Sequence, residues 1–315
     1  MCRFKFRLLI AILTFGIGVL VIGIWKGLPA PQNHNETSYV QAQVNLTPQE
    51  NIDLKTEETP EDIKQKTYLT CPDNQTQFTF QDVSFDCNSQ IGLRIEVTEF
   101  SKSPLLDETH KPDYVHPSYL SFKFKNEEVK QESKTDYVSE ISVYPIEEYS
   151  QMYSLSEQNR QYFDKEVNSL KKLFGKRFTY LKKHISFLGA TDGQFGFKSH
   201  LKYISFKNGK GVGFVTQVQI EVTIINNEEL VWVFEGITND GKYYVRAIFP
   251  IRASFLPDKA TDKFEGYSLS DYSRLSKRNE QYLSLIRKRL DSLPSNQYQP
   301  SLENLTNIIS SLEVK

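Results

Sequence analysis

The chain has 315 residues, with 38 Lys and Arg against 39 Asp and Glu and a formal net charge of −1. Nucleic-acid binders usually carry a strong basic surplus, so this balance argues against a nucleic-acid partner. Aromatic residues make up 13% of the chain, mostly Phe and Tyr, and point to a β-rich core, because such side chains fit a pleated, half-buried surface.

Arg3, Lys5 and Arg7 crowd the first seven residues. Leu8 to Ile24 then reads LLIAILTFGIGVLVIGI, an unbroken apolar run that reaches the lower limit for a helix spanning the hydrocarbon. Trp25 follows at the place of an interfacial aromatic. A cleaved secretory signal is the rival reading, but its apolar region is usually about 7 to 15 residues long and ends in a small-x-small site. Cleavage after Ala30 would put Pro31 just beyond the scissile bond and Leu28 where a small residue is wanted. Residues 8–25 are therefore expected to stay as a transmembrane signal anchor. The basic residues ahead of the run, against Lys26 close behind it, place the tail 1–7 in the cytoplasm by the positive-inside rule. The expected location is the cytoplasmic membrane, single-pass, with the C-terminal domain extracytoplasmic. Cys2 precedes the run and reads as an idle cytoplasmic thiol rather than an acylation site.

Residues 26–67 form the expected flexible linker. Pro31 to Lys66 is rich in Asn, Gln, Glu, Thr and Pro, without a sustained apolar period, and cannot bury enough surface to offset its ordering entropy. Asn-x-Thr sequences at Asn35, Asn45, Asn74 and Asn304 would matter only in a glycosylating host.

The folded domain is expected over 68–315, about 250 residues, enough to bury a core of its own. Cys71 and Cys87 are the two cysteines on the outer side, and an oxidising compartment favours pairing them. The segment between them, PDNQTQFTFQDVSFD, alternates like a strand and contains turn residues, so the loop can fold back on itself. Closing about 15 residues is worth about 3 kcal/mol in the chain-entropy model. The spacing is neither C-x-x-C nor zinc-like, which argues against redox catalysis and metal binding. Further on, Asp107, Glu108, His110, Asp113 and His116 gather in a segment that also holds Pro104, Pro112 and Pro117, and this reads as a solvated loop rather than a cation site.

An amphipathic helix is predicted from about Ser156 to Phe174, with Phe163, Val167, Leu170 and Phe174 on one face, a Ser154 to Glu157 capping box ahead and Gly175 behind. Lys171, Lys172, Lys176, Arg177, Lys182, Lys183 and His184 make the densest basic stretch, at the end of this helix. The helix dipole accounts for cations there. The sharper reading is a patch for an anionic surface, lipid headgroups or a wall polymer, carried by Lys171, Lys172, Lys176 and Arg177.

From Phe197 to Ile251 the alternation of Val212, Phe214, Thr216, Val218, Ile220 and Val222 with their neighbours, continued by Leu230, Trp232 and Phe234 and by Tyr243, Val245, Ala247 and Phe249, predicts a four-strand antiparallel meander with one buried face. Asn208-Gly209-Lys210-Gly211, Ile225 to Glu229 and Asn239-Asp240-Gly241 supply its turns. A second helix is predicted from about Asp271 to Leu293, with Leu275, Leu283, Ile286 and Leu290 inward and Pro294 as its stop. A third carries Leu302, Leu305, Ile308, Ile309 and Leu312. The fold class is α+β: an antiparallel sheet, the meander plus further strands, flanked by amphipathic helices after an N-terminal transmembrane helix.

Leu155 to Tyr162 and Leu275 to Tyr282 agree at Leu, Ser, Asn, Gln and Tyr, and Val143-Tyr144-Pro145-Ile146 mirrors Ile248-Phe249-Pro250-Ile251. Two readings stay open, a duplication of two ββα units or a chance likeness between generic hairpin-helix units.

No H-E-x-x-H, G-x-S-x-G, P-loop, EF-hand or C-x-x-C pattern occurs. Gly209-Lys210-Gly211-Val212-Gly213 precedes a strand rather than a helix, so no helix N-terminus is there to receive a phosphate, and the segment reads as a hairpin turn. The five histidines, His34, His110, His116, His184 and His200, lack metal-ligand spacing. His200, in a predicted strand, reads as a partnered structural residue. No cofactor and no metal are implied.

The succession Asn208-Gly209-Lys210-Gly211-Val212-Gly213-Phe214, Ile225-Asn226-Asn227-Glu228-Glu229-Leu230 and Phe234-Glu235-Gly236-Ile237-Thr238-Asn239-Asp240-Gly241-Lys242-Tyr243-Tyr244 resembles a group of uncharacterised exported, membrane-anchored bacterial proteins. That likeness rests on turns and strands and implies no activity. The order of helices and sheet is also similar to Mog1/PsbP-like α/β/α sandwiches, which bears on fold alone. The function expected from the whole reading is a membrane-tethered extracytoplasmic binding or assembly module, holding an envelope protein, polymer or small ligand. The alternative is an envelope-acting hydrolase that assembles dispersed carboxylates and His200 in a cleft.

Overall fold

In a computed structural model the alternating apolar segments assemble into a nine-stranded antiparallel sheet. The described residues are 63–71, 77–88, 90–103, 115–125, 138–173, 194–219, 223–272 and 277–315. The expected tail, anchor and most of the linker lie outside them, and no described helix is long and apolar enough to cross a membrane.

The strands are β1 (Ile63–Thr70), β2 (Gln77–Phe80), β3 (Val83–Asp86), β4 (Arg94–Phe100), β5 (Tyr119–Lys125) and β6 (Glu140–Pro145). Helices α1 (Ile146–Met152) and α2 (Glu157–Leu173) follow, then β7 (Gln194–Phe195), β8 (Ser199–Phe206), β9 (Gly209–Gln219), β10 (Leu230–Thr238) and β11 (Tyr243–Pro250). The order across the sheet is β1-β4-β5-β6-β11-β10-β9, with β7 and β8 both pairing with β9. The predicted meander is therefore present as β8 to β11. Short strands β12 (Arg252–Ala253), β13 (Lys263–Phe264), β14 (Tyr267–Ser268), β15 (Tyr298–Gln299) and β16 (Glu313–Val314) accompany helices α3 (Lys277–Ser292) and α4 (Leu302–Ser311).

Strand alternation sends Trp232 and Phe234 to one face, where they pack with Tyr282, Ile286 and Leu290 of α3 and with Leu305, Ile308 and Ile309 of α4. Val231, Val233 and Ile237 point to the second face, under Phe163, Val167 and Leu170 of α2 and Tyr149 and Met152 of α1. With helices on both faces, all of β10 and residues Gly211 to Val218 of β9 are buried. The expectation of a single buried face is corrected by this second helical layer.

The glycine run is corrected too. Phe206 pairs directly with Gly209, so Lys207 and Asn208 form the turn and the glycines lie inside β9. A Cβ on Gly209 would stand 2.0 Å from the Phe206 ring, one on Gly211 2.4 Å from Phe234, and one on Gly213 2.7 Å from Trp232. The three glycines, spaced by two, make the trough in which those aromatic rings lie.

The linker expected over 26–67 ends early, because β1 begins at Ile63. Its polar composition suits an edge strand, and Lys66 pairs with Glu96 of β4 at 3.0 Å. The cap of α2 is Ser156, whose Oγ accepts from the Asn159 N–H at 3.4 Å, rather than Ser154. A 3-10 turn at Leu269–Tyr272 stands where the second helix was expected to begin. Duplication of ββα units does not hold. Rotation about the sheet normal between the paired strands β6 and β11 brings β5-β6 onto β10-β11 with their faces kept, yet α2 covers the second face and α3 the first.

Cys71 and Cys87 are joined in a disulfide that brackets the β2-β3 hairpin. The same hairpin receives the C-terminal strand, with Val314 pairing to Val83. Asn208 clasps that strand from the β8-β9 turn: its Oδ1 accepts from the Val314 N–H at 3.1 Å and its Nδ2 donates to the Val314 carbonyl.

Candidate functional site

The β8-β9 register slips between Ser199, opposite Val215, and Lys202, opposite Gly213. Two residues, His200 and Leu201, therefore face one, which makes a β-bulge. His200 takes a φ of 47°, a left-handed conformation that costs energy for a side chain other than glycine and persists only when its surroundings enforce it.

The enforcing contacts come from the C-terminal turn of α3. Asp291 Oδ1 accepts from the Ser199 hydroxyl at 2.8 Å and from the His200 backbone N–H at 2.7 Å. His200 Nε2 donates to the Leu290 carbonyl, which also accepts from the Tyr298 hydroxyl at 3.0 Å. That carbonyl is one of the last four of a helix, which have no partner within it. Edge-to-face packing on Tyr298, centroids 5.3 Å apart, fixes the His200 ring.

Around the bulge opens a cleft of about 760 Å³, within the range of small-molecule sites. Ile204 and Trp232 line it from the sheet, Asp291 from the end of α3, Ser295 from the 3-10 turn Ser295–Gln297 that follows, and Leu302, Glu303 and Asn307 from α4. The Ser295 hydroxyl accepts from the Glu303 backbone N–H at 2.7 Å and so ties that turn to the start of α4. Lys202, Asp291 and Glu303 bring three charges to the walls, and none of the ion pairs among the described residues neutralises any of them.

Chemically, this set is arranged to hold rather than to attack. The Ser199 proton is directed at a carboxylate, not at an imidazole, and Asp291 Oδ1 is already doubly engaged. Because Nε2 carries the proton given to Leu290, Nδ1 is the acceptor that a neutral His200 offers.

The structure thus brings His200 and dispersed carboxylates into one concavity. The His116 backbone N–H donates to the Ser103 hydroxyl at 2.8 Å, while its Nδ1 faces the Pro117 carbonyl at 3.1 Å. Asp107, Glu108, His110 and Asp113 lie outside the described residues. No cluster of three or more His, Cys, Asp or Glu suited to a metal occurs among the described residues. Lys171 and Lys172 are exposed in the last turn of α2; Lys176 and Arg177 lie outside the described residues. Lys202, Asp291, Glu303 and Trp232 were not foreseen, since they come from four elements and no local spacing links them.

Comparison with known protein families, known proteins and solved structures finds no match to this chain.

Proposed function

We propose that the chain is a membrane-tethered extracytoplasmic binding module, and that the cleft at the β8 bulge takes a small zwitterion such as an amino acid or a dipeptide. The observation that carries the proposal is the set Lys202, Asp291 and Glu303, charges of both signs on the walls of one cleft and unpaired with one another. A ligand bearing an amine and a carboxylate satisfies both signs at once, with Trp232 and Ile204 beneath its apolar part. The tether rests on the apolar run Leu8–Ile24 and the basic residues ahead of it. The Cys71–Cys87 disulfide supports an oxidising compartment.

A hydrolytic reading is favoured by one observation, the presence of His200 beside Ser199 on the wall of the same cleft, but it requires Ser199 to leave Asp291. Thermal-shift measurements on the purified chain with free amino acids and dipeptides, and with their N-acetylated and C-amidated forms, separate the cases. Stabilisation by the zwitterions that is lost on blocking either end supports the proposal. Equal response to blocked and free forms, or no response, contradicts it, and breakdown of the dipeptide selects the hydrolytic reading.

A further inference from the structure

Glu235 lies in the middle of β10 on the second face of the sheet, opposite Val212 of β9 and Arg246 of β11. It is fully buried, at 0% exposure, and neither carboxyl oxygen has a hydrogen-bond partner. Two buried oxygens in its own neighbourhood share that condition, the Tyr244 hydroxyl of β11 and Glu166 Oε2 of α2. Helix α2 closes this region, since Phe163, Val167 and Leu170 pack in one cluster with Val231, Val233 and Ile237.

A buried carboxylate without a hydrogen bond costs several times more than the neutral acid. The charged and titratable groups facing Glu235 are Arg246 and Tyr244 from β11, Glu166 from α2 and Lys198 from the segment ahead of β8, with Tyr144 and Tyr149 beyond Tyr244. On this face β9 presents Val212 and Phe214. Neither cation reaches Glu235 as an ion pair. The Lys198 ammonium instead lies over the Phe195 and Phe214 rings at 5.8 and 5.9 Å. Burial lifts the Glu235 carboxyl well above the ordinary carboxylate range; Lys198 and Arg246 pull against this and Glu166 adds to it.

We propose that Glu235 is a proton-operated latch for α2: as the neutral acid it lets the helix close over the sheet, and loss of its proton releases the helix. In the released state Glu235 is a solvated carboxyl of ordinary pKa, so release sheds one proton between that range and the raised value. Closure is then complete below the ordinary carboxylate range and is lost as pH rises, the opening equilibrium growing by about tenfold per pH unit. Release uncovers Phe163, Val167, Leu170 and the strand residues beneath them. The latch is independent of the cleft, which lies against α3 and α4.

The test is hydrogen exchange across pH on the full-length chain in detergent, corrected for the intrinsic rate at each pH. In the unmodified protein, protection of α2 is expected to fall by about tenfold per pH unit through the window while α3 keeps its protection. In Glu235→Gln, and in Glu235→Leu should the amide fold poorly, α2 protection is expected to be independent of pH. A flat profile in the unmodified protein overturns the latch whatever the variants do. So does an equal slope in the variants, or loss of protection in α2 and α3 together.

Discussion

Asp291 and His200 meet across 91 residues of chain, the Asp291 carboxylate accepting the His200 backbone N–H at 2.7 Å. One oxygen on the end of α3 thereby holds a left-handed residue in an edge region of the sheet, and the cleft wall depends on it. Asp291→Ala removes this bond and the one from Ser199. Hydrogen bonds to charged groups contribute about 1.5–3 kcal/mol each when buried, and Asp291 is solvent-exposed, so a combined loss of about 1–2 kcal/mol is expected. Asp291→Asn keeps an acceptor and should lose less. Urea denaturation of the two variants measures the difference; equal stability of both with the parent would detach the bulge from α3.

Gly211 tests the aromatic trough. A methyl group there meets the Glu235 carbonyl at 2.2 Å and the Phe234 ring at 2.4 Å, and both lie on a strand buried on each face. Gly211→Ala should therefore destabilise by about 1–3 kcal/mol, the usual cost of overpacking. A melting temperature unchanged from the parent would mean that the strands part more easily than their packing implies.

Two of the buried glutamates, Glu96 and Glu235, should act on stability in opposite directions. Burial pushes the Glu96 carboxyl up, but the hydrogen bond from Lys66 and the charges of Lys125, Lys66 and Lys123 outweigh it and hold the group below the ordinary range. Its contribution is present above that range and is lost as pH falls through the lowered value. Glu235 is raised, so its contribution is complete at low pH and fades as pH rises. Denaturant titrations from acid to mildly alkaline pH should find that Glu96→Gln flattens the acid limb and Glu235→Gln the alkaline decline. A swap of those effects would refute the assignment.

The proposed tether makes a topological prediction. Protease added to spheroplasts should digest the folded domain from outside, and the membrane fraction should retain residues 1–30. An intact membrane that protects the domain, or a mature N-terminus near residue 31, would contradict it.

The sheet was readable where alternation is strong. Phe214 to Val218 and Leu230 to Phe234 announce strands whatever covers them, and Leu302 to Leu312 announces a helix by spacing alone. What covers a strand was not readable, because Val231 and Val233 look alike whether a helix or water lies above. Hence the meander read as a sheet with one buried face, and the burial of Glu235 was missed. Polar Ile63–Thr70 resembled a linker because an edge strand needs only one partner and little apolar surface. Cys71 and Cys87 were legible as a pair from topology and count. The cleft was not: His200 gives no sign of a bulge in its own neighbours, and its partners sit some 90 residues away on a helix end.

The central claim, that the cleft at the bulge binds a zwitterion, is tested most directly by calorimetric titration of a dipeptide into the parent chain and into Lys202→Glu. The Lys202 side chain is exposed and enters none of the ion pairs among the described residues, so the variant should keep the parent's circular dichroism and melting curve. The account predicts saturable heat with the parent and an affinity reduced at least about tenfold in the variant, the loss expected for one charged contact of about 1.4 kcal/mol. Saturable binding of the same affinity in both, or no heat with either, would contradict it.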